Sequence, residues 1–261
     1  MRGKKNSLPK IGSVQNYRHL WMLSIWAAYL ILFVIVEKAV TTDYYVVHLP
    51  LDDHIPFCEW FIFPYCLWHP LLALMSAYLM LWDAESFKRY MAFIGLGFIP
   101  VILFDWLFPN GQDLRPLVFE HENIATWLVA RIYASDTNTN VFPSMHVIGS
   151  AALYAATLYT PSLRKRHLNW VMLPVGILIC ISTVFVKQHS CADLFGAIPY
   201  SALIWWLVYG VIFTRKNTEP ISIYRAANRQ RGSLYSVSPL SPFWRMVILT
   251  GVPVRPKTAR I

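Results

Sequence analysis

The chain has 261 residues, of which 56% are hydrophobic and only 14% charged, with a formal net charge of +9. A soluble domain carries about 25% charged residues. This composition, with a mean hydropathy of +0.41, therefore excludes an ordinary soluble domain and predicts an integral membrane protein. The positive charge collects at the two ends of the chain and leaves no folded basic domain over, which argues against nucleic acid as a partner.

The elements follow in chain order. Residues 1–19 form a basic cytoplasmic segment in which Arg2, Lys4, Lys5, Lys10 and Arg18 meet no acid. The apolar run Leu20–Val36 ends at Glu37-Lys38 without a small-residue cleavage site, so it reads as a retained anchor and not a cleaved leader. A helical span needs ~20 mostly apolar residues. Phe61–Trp82, Tyr90–Phe108, Ser144–Thr160, Asn169–Val186 and Leu194–Phe213 supply five more. The fourth span is the shortest and least apolar, and Gly196 and Pro199 predict a bend near the start of the sixth. The fold class is thus all-α: a polytopic membrane protein of six transmembrane helices with a helical-bundle core over residues 20–213. Residues 214–261 form a basic, partly disordered cytoplasmic tail, in which nine Lys and Arg face the single acid Glu219. Within it "SPFWRMVILTGVP" is too short to span and predicts an inner-leaflet contact.

The loops set the orientation. The Pro161–Leu168 loop carries "RKRH", whereas Glu37–Trp60 carries Glu37, Asp43, Asp52, Asp53 and Glu59 against Lys38 alone. Positive loops stay inside, so both termini are expected in the cytoplasm of a multi-pass cell-membrane protein. The aromatic stretch Leu49–Tyr65 then lies at the outer interface. Asp105, near the outer end of the third span, is a functional candidate because acids at that depth are costly. Cys58, Cys66, Cys180 and Cys191 show no metal spacing; Cys58 and Cys191 both fall outside the membrane, where a disulfide is open to them.

The same topology brings three polar stretches to the outer face: "GQDLRP", "PSMH" and "KQHSCAD". His189 and Asp193 are spaced i, i+4, which places them on one face of a helix. A carboxylate fixes an imidazole's tautomer and raises its basicity. His146 adds a second imidazole. One histidine can attack phosphorus while the other protonates the leaving oxygen. Arg115 can clamp phosphate oxygens, and Ser144 with the N–H groups of the following helix can add donors. Taken singly, each has a plainer role: Ser144 or Asp193 as a helix cap, Arg115 as an interfacial anchor, either histidine as an interfacial residue. A haem held between two histidines gives no role to Arg115, Ser144 and Asp193 together, and a divalent metal finds only one carboxylate near the histidines. No metal or cofactor is therefore expected.

Pro-Ser-Met-His at 143–146 and His189-x-x-x-Asp193, with Arg115-Pro116 before them, resemble the signatures of the type 2 phosphatidic acid phosphatase superfamily. These are the lipid phosphate phosphatases that share a helical core with vanadium-dependent haloperoxidases. The resemblance covers roughly residues 20–213. It implies a lipid phosphate substrate in the bilayer, catalytic His189, His146 and Asp193, phosphate-binding Arg115 and Ser144, and a phosphohistidine intermediate at an extracytoplasmic site. The family's first lysine falls at Phe108, its glycine at Met145 and its third-signature arginine at Thr183. Lys187 is the one cation near enough in sequence to replace either. These departures also resemble the inositol phosphorylceramide and sphingomyelin synthase branch. Three readings follow: hydrolysis of a lipid phosphate or diphosphate, transfer of a phospho-headgroup between lipids, and a degenerate lipid-binding or transport protein. Substrate identity and oligomeric state are not encoded in these motifs.

The orientation is testable by labelling a single cysteine in the Pro109–Pro143 loop with an impermeant thiol reagent. Labelling in intact cells is expected; labelling only after permeabilisation would invert the topology.

Overall fold

The computed structural model describes residues 14–40 and 42–213, with side chains from Arg18 onward. The chain divides into two compact units, Met1–Val208 and Tyr209–Ile261. The second is described only as far as Phe213, so the expected inner-leaflet segment of the tail lies outside the described residues, as do Arg2, Lys4, Lys5 and Lys10.

The apolar runs form helices where the sequence puts them: α1 (Ser24–Ala39), α2 (Ile62–Cys66), α3 (Trp68–Trp82), α4 (Ala84–Leu107), α5 (Ile124–Ser135), α6 (Met145–Tyr159), α7 (Pro161–Lys165), α8 (Leu168–Phe185) and α9 (Cys191–Trp205). Asp83 starts α4 by accepting from the Ser86 N–H at 3.0 Å. Pro199 sits inside α9 and the helix runs on through it, with the irregular π-type turn later, at Trp206–Ile212.

Five helical stretches among the described residues are long and apolar enough to cross a membrane: Arg18–Ala39, Glu59–Trp82, Ala84–Leu107, Leu168–Phe185 and Cys191–Ile212. They fit a multi-pass membrane protein. Their outer faces carry exposed Leu30, Ile31, Val34, Leu74, Leu81, Ile177 and Leu178, an apolar belt that water would not tolerate as the surface of a monomer. The expected fourth span is present as α6, but it has 15 residues, about 22 Å of helix against a hydrocarbon core of about 30 Å. Its position explains its length and composition. It packs against α3, α4, α8 and α9, and ten of its residues are buried, among them Gly149, Ser150, Ala152, Ala155 and Ala156. Small side chains let four neighbours approach one axis, as in membrane bundles generally.

One close approach is at Gly97 of α4, where a Cβ would lie 2.6 Å from Cγ2 of Ile148 on α6. Around it Phe87, Tyr90, Met91, Phe93, Ile94 and Phe98 of α4 are fully buried. The loops after α1, α4 and α5 are joined by backbone pairing. A short parallel pair aligns β1 (Tyr45–Val46) with β2 (Asn110–Gly111), and Gly111 bridges onward to Thr139.

Gly97→Ala forces Ile148 or the α4 backbone to move, and overpacking of this kind costs about 1–3 kcal/mol. A lower Tm in detergent is expected. Combined with Ile148→Ala, which vacates the space, the two losses should be less than additive.

Candidate active site

The site is built where three chain segments meet. Its first part is the turn between α8 and α9. The amides of Gln188 and His189 both donate to the Thr183 carbonyl, at 2.9 and 3.1 Å. The turn reverses through Lys187, whose φ is 53°. Ser190 then caps α9, and Asp193 closes a capping box by accepting from the Ser190 N–H at 2.9 Å. The same carboxylate oxygen, Oδ2, accepts from Nδ1 of His189 at 3.0 Å. His189 thus precedes the helix. It reaches Asp193 through the geometry of the cap, where the spacing alone suggested neighbours along one helix face.

The second part is the start of α6. The Ser144 N–H donates to the Asp193 carbonyl at 3.1 Å, which locks the two motifs together through the backbone. The Ser144 side chain does not cap α6; it is fully buried and its hydroxyl has no partner. His146, in the first turn, places Nδ1 3.3 Å from Nε2 of His189. Since Asp193 takes the Nδ1 proton of His189, the Nε2 of His189 presents a lone pair and His146 Nδ1 is the donor to it. That leaves Nε2 of His146 without a protein partner. The His146 ring lies 4.3 Å from Trp68 and 4.7 Å from Tyr65, centroid to centroid. Trp68 gains this place because Gly149, one turn on, has no side chain: a Cβ there would lie 2.6 Å from the indole nitrogen.

The third part is the loop system over both. Asn110 accepts through Oδ1 from the amides of Val141 and Phe142, at 3.0 and 2.8 Å, and donates through Nδ2 to Asp105 at 2.8 Å. Asp105, expected as a functional acid, therefore holds the residue that holds the approach to "PSMH". Gln112 donates to the Lys187 carbonyl at 2.9 Å. Arg115 donates to the carbonyls of Tyr133, Asp136 and Thr137 and to Oε1 of Gln188, and its guanidinium lies 4.5 Å from the Tyr133 ring centroid. Lys187 directs its ammonium to the carbonyls of Asp52 and Ile55, at 3.0 and 2.6 Å.

A cavity of about 240 Å³ opens beside the histidines, lined by His146, His189, Met145, Gln188, Tyr65, Trp68, His69, Tyr29, Phe33, Glu37 and Asp136 among others. Of the residues singled out in the sequence, His146, His189 and Asp193 come together. Arg115 and Lys187, expected on phosphate oxygens, direct the terminal guanidinium nitrogens and the ammonium to protein carbonyls, with the Arg115 Nε buried and unpartnered among the described residues, and neither lines the cavity; nor does Ser144. Among the described residues no lysine or arginine lines it. Phe108 and Thr183, at the family's cationic positions, are an exposed ring and a buried hydroxyl bonded within α8. Tyr65, Trp68, Gln188, Glu37 and Asp136 carried no motif; for Gln188, adjacency to His189 was the one available signal. Cys58 and Cys191 are both free thiols.

Glu37 is held by the Thr137 amide at 2.7 Å, the Thr137 hydroxyl and the Asn140 amide group at 3.0 Å. Asp136 is pushed up to about 6, first by burial and then by the charge of Glu37, against the pull of Arg115 and His189. A carboxyl whose folded pKa is raised costs stability once ionised, with the loss growing as pH rises from 3.8 to about 6. Asp136→Asn should therefore raise Tm above about pH 6, and the gain should vanish below pH 3.8. A pH-independent change in Tm would contradict this origin.

Residues 110–217 match the model of the PAP2 superfamily, a stretch that contains Arg115, Ser144, His146, His189 and Asp193. Undecaprenyl-diphosphatase BcrC of Bacillus subtilis (strain 168) is 23% identical over 128 residues, covering 42% of this chain and 64% of that protein. The chain thus spans less than two thirds of that relative's length. No solved structure matches the chain. Over residues 110–217, the stretch that holds two histidines and an aspartate in hydrogen-bonded series, the chain is similar to the PAP2 superfamily.

Proposed function

We propose that this protein is an integral membrane phosphatase that hydrolyses a lipid phosphate or diphosphate through a phosphohistidine on His189. The observation that carries this reading is the series Asp193–His189–His146 at the wall of the cavity. The match of residues 110–217 to the PAP2 superfamily supports a phosphatase, and the name of the Bacillus subtilis relative supports an isoprenyl diphosphate among the substrates to be tried. The loop charges support an extracytoplasmic site with both termini in the cytoplasm.

The roles follow from the hydrogen bonds. Asp193 holds the Nδ1 proton of His189 and keeps Nε2 free to attack phosphorus. The 3.3 Å contact between the imidazoles is the resting arrangement, because a phosphoryl group bonded to Nε2 needs the space that His146 fills. When the rings part, the N–P bond forms as the P–O bond to the lipid breaks. His146, protonated on both nitrogens for this step, gives its Nε2 proton to the departing oxygen and is left as the neutral imidazole. It then takes a proton from water as water attacks phosphorus and the P–N bond breaks, releasing phosphate and restoring His189. With no lysine or arginine among the described residues lining the cavity, the first N–H groups of α6 are the donors best placed for the phosphoryl oxygens. A helix N-terminus favours an anion there, and Met145 and His146 of that turn line the cavity.

One observation favours the transfer reading as a second possibility. The cavity pairs Glu37 and Asp136 with Tyr29, Phe33 and Trp68, a lining suited to a headgroup with a positive charge. In that reaction an acceptor lipid hydroxyl replaces water in the second step.

Purified protein incubated with phosphatidate, phosphatidylglycerol phosphate, isoprenyl diphosphate, or ceramide with phospholipid separates the readings. Free phosphate supports hydrolysis and a new phospholipid supports transfer. Acid-quenched reactions with labelled substrate should show phosphohistidine in wild type and none in His189→Ala. His146→Ala should slow lipid turnover by about 10²–10⁴-fold, and much less for a nitrophenyl ester, whose leaving group needs little protonation. Full activity in both variants would remove the site.

A further inference from the structure

Asp52 lies in the loop between α1 and α2, far in sequence from every motif, yet its carboxylate is only 2% exposed. Oδ1 accepts from the Cys191 N–H at 2.7 Å, and Oδ2 accepts from the Ser190 hydroxyl at 2.5 Å and the Leu49 N–H at 2.8 Å. It therefore binds the first amide of α9 and the capping side chain itself, where the helix dipole favours a negative charge. In return, the Lys187 ammonium donates to the carbonyls of Asp52 and Ile55. Acid and base thus reach across in opposite senses, one from the loop to the α9 cap and one from the α8–α9 turn to the loop. His189 and Ser190 stand between the two anchoring points. Burial alone would raise the Asp52 carboxyl, but the bonds from Cys191, Ser190 and Leu49 outweigh it and hold the group below the ordinary carboxylate value. The carboxylate is thus charged in this setting and is fully bonded to the α9 cap.

We infer that Asp52 and Lys187 form a clasp that positions His189 for attack, and that Lys187 serves the site in this way instead of as a phosphate ligand. The inference rests on His189 being the reacting group. Its physical basis is that the His189–Asp193 bond is made inside a cap, not along a helix. A cap is held by a few hydrogen bonds, and Asp52 supplies two of them from outside. Both are positioning residues: neither lines the cavity.

The test uses full-length protein and four variants: Asp52→Asn, Lys187→Gly, the two combined, and Lys187→Arg. Glycine suits the left-handed backbone at 187 (φ 53°), so Lys187→Gly removes the ammonium without straining the turn. The readout is rapid-quench labelling by a substrate that the wild type turns over, with His189→Ala as control. For Asp52→Asn and Lys187→Gly the rate constant of labelling should fall by about 10²-fold, the scale of a misplaced reacting group. The labelled fraction should stay at the wild-type level. The combined variant should be little worse than either alone, and Lys187→Arg should recover most of the rate. Inhibition by inorganic phosphate should be unchanged in Lys187→Gly. A reduced labelled fraction at wild-type rate would make the clasp a stability device only, and weakened phosphate inhibition would return Lys187 to the phosphate; either overturns the inference. Wild-type rates in the clasp variants with an inactive His189→Ala would overturn the clasp alone, whereas an active His189→Ala would overturn the function on which it rests.

Discussion

The site depends on what Asp193 does at the start of α9. One oxygen of its carboxylate closes the capping box on Ser190 and holds the His189 imidazole, and its carbonyl receives the amide of Ser144 at the start of α6. Helix start, histidine tautomer and registry between the two motifs are therefore set at one residue. A cap leaves orphan amides that some acceptor must satisfy. Here the acceptor also bonds the proposed nucleophile, so the energy that starts the helix also orders the site.

That junction needs a rigid bed, and α6 provides it. Its buried small residues allow α3, α4, α8 and α9 to close on it, while the apolar outer faces of α1 and α8 remain for lipid. Gly149 admits Trp68, and Trp68 with Tyr65 flanks His146. The aromatic packing fixes the ring plane, as the carboxylate fixes that of His189. The two imidazoles are thus oriented by different physics: one by a charge-assisted hydrogen bond, the other by stacking and shape.

The loops around the site are ordered by hydrogen bonds too. Asn110, Gln112, Arg115, Lys187 and Asp52 each bond to backbone amides or carbonyls of another loop. A cation satisfied in this way is costly to detach, since its carbonyl partners would be left buried and unpaired. The result is a cavity with acids and aromatics on its wall and the Arg115 and Lys187 cations bonded elsewhere, which in the proposed reaction leaves the helix N-terminus to hold the phosphoryl group.

The sequence by itself determined the membrane class, the positions of the apolar helices and the pairing of His189 with Asp193. Each rests on a local signal: a run of apolar residues, or partners within four positions. It also held the signal for α5, the capping box of Asn123 and Thr126, although at 12 residues that helix is too short to register as a span. Tertiary structure alone decided that α6 is the buried axis and not a full-length span, because burial depends on what surrounds a helix and not on its own hydropathy. It alone decided the partners of Arg115, Lys187 and Asp52. Apart from Leu49, three positions from Asp52, their partners lie between 18 and 139 positions away and are mostly backbone groups. Every residue carries a backbone amide or carbonyl, so these bonds leave no mark in residue types or spacing, and only the folded chain selects which of them are used.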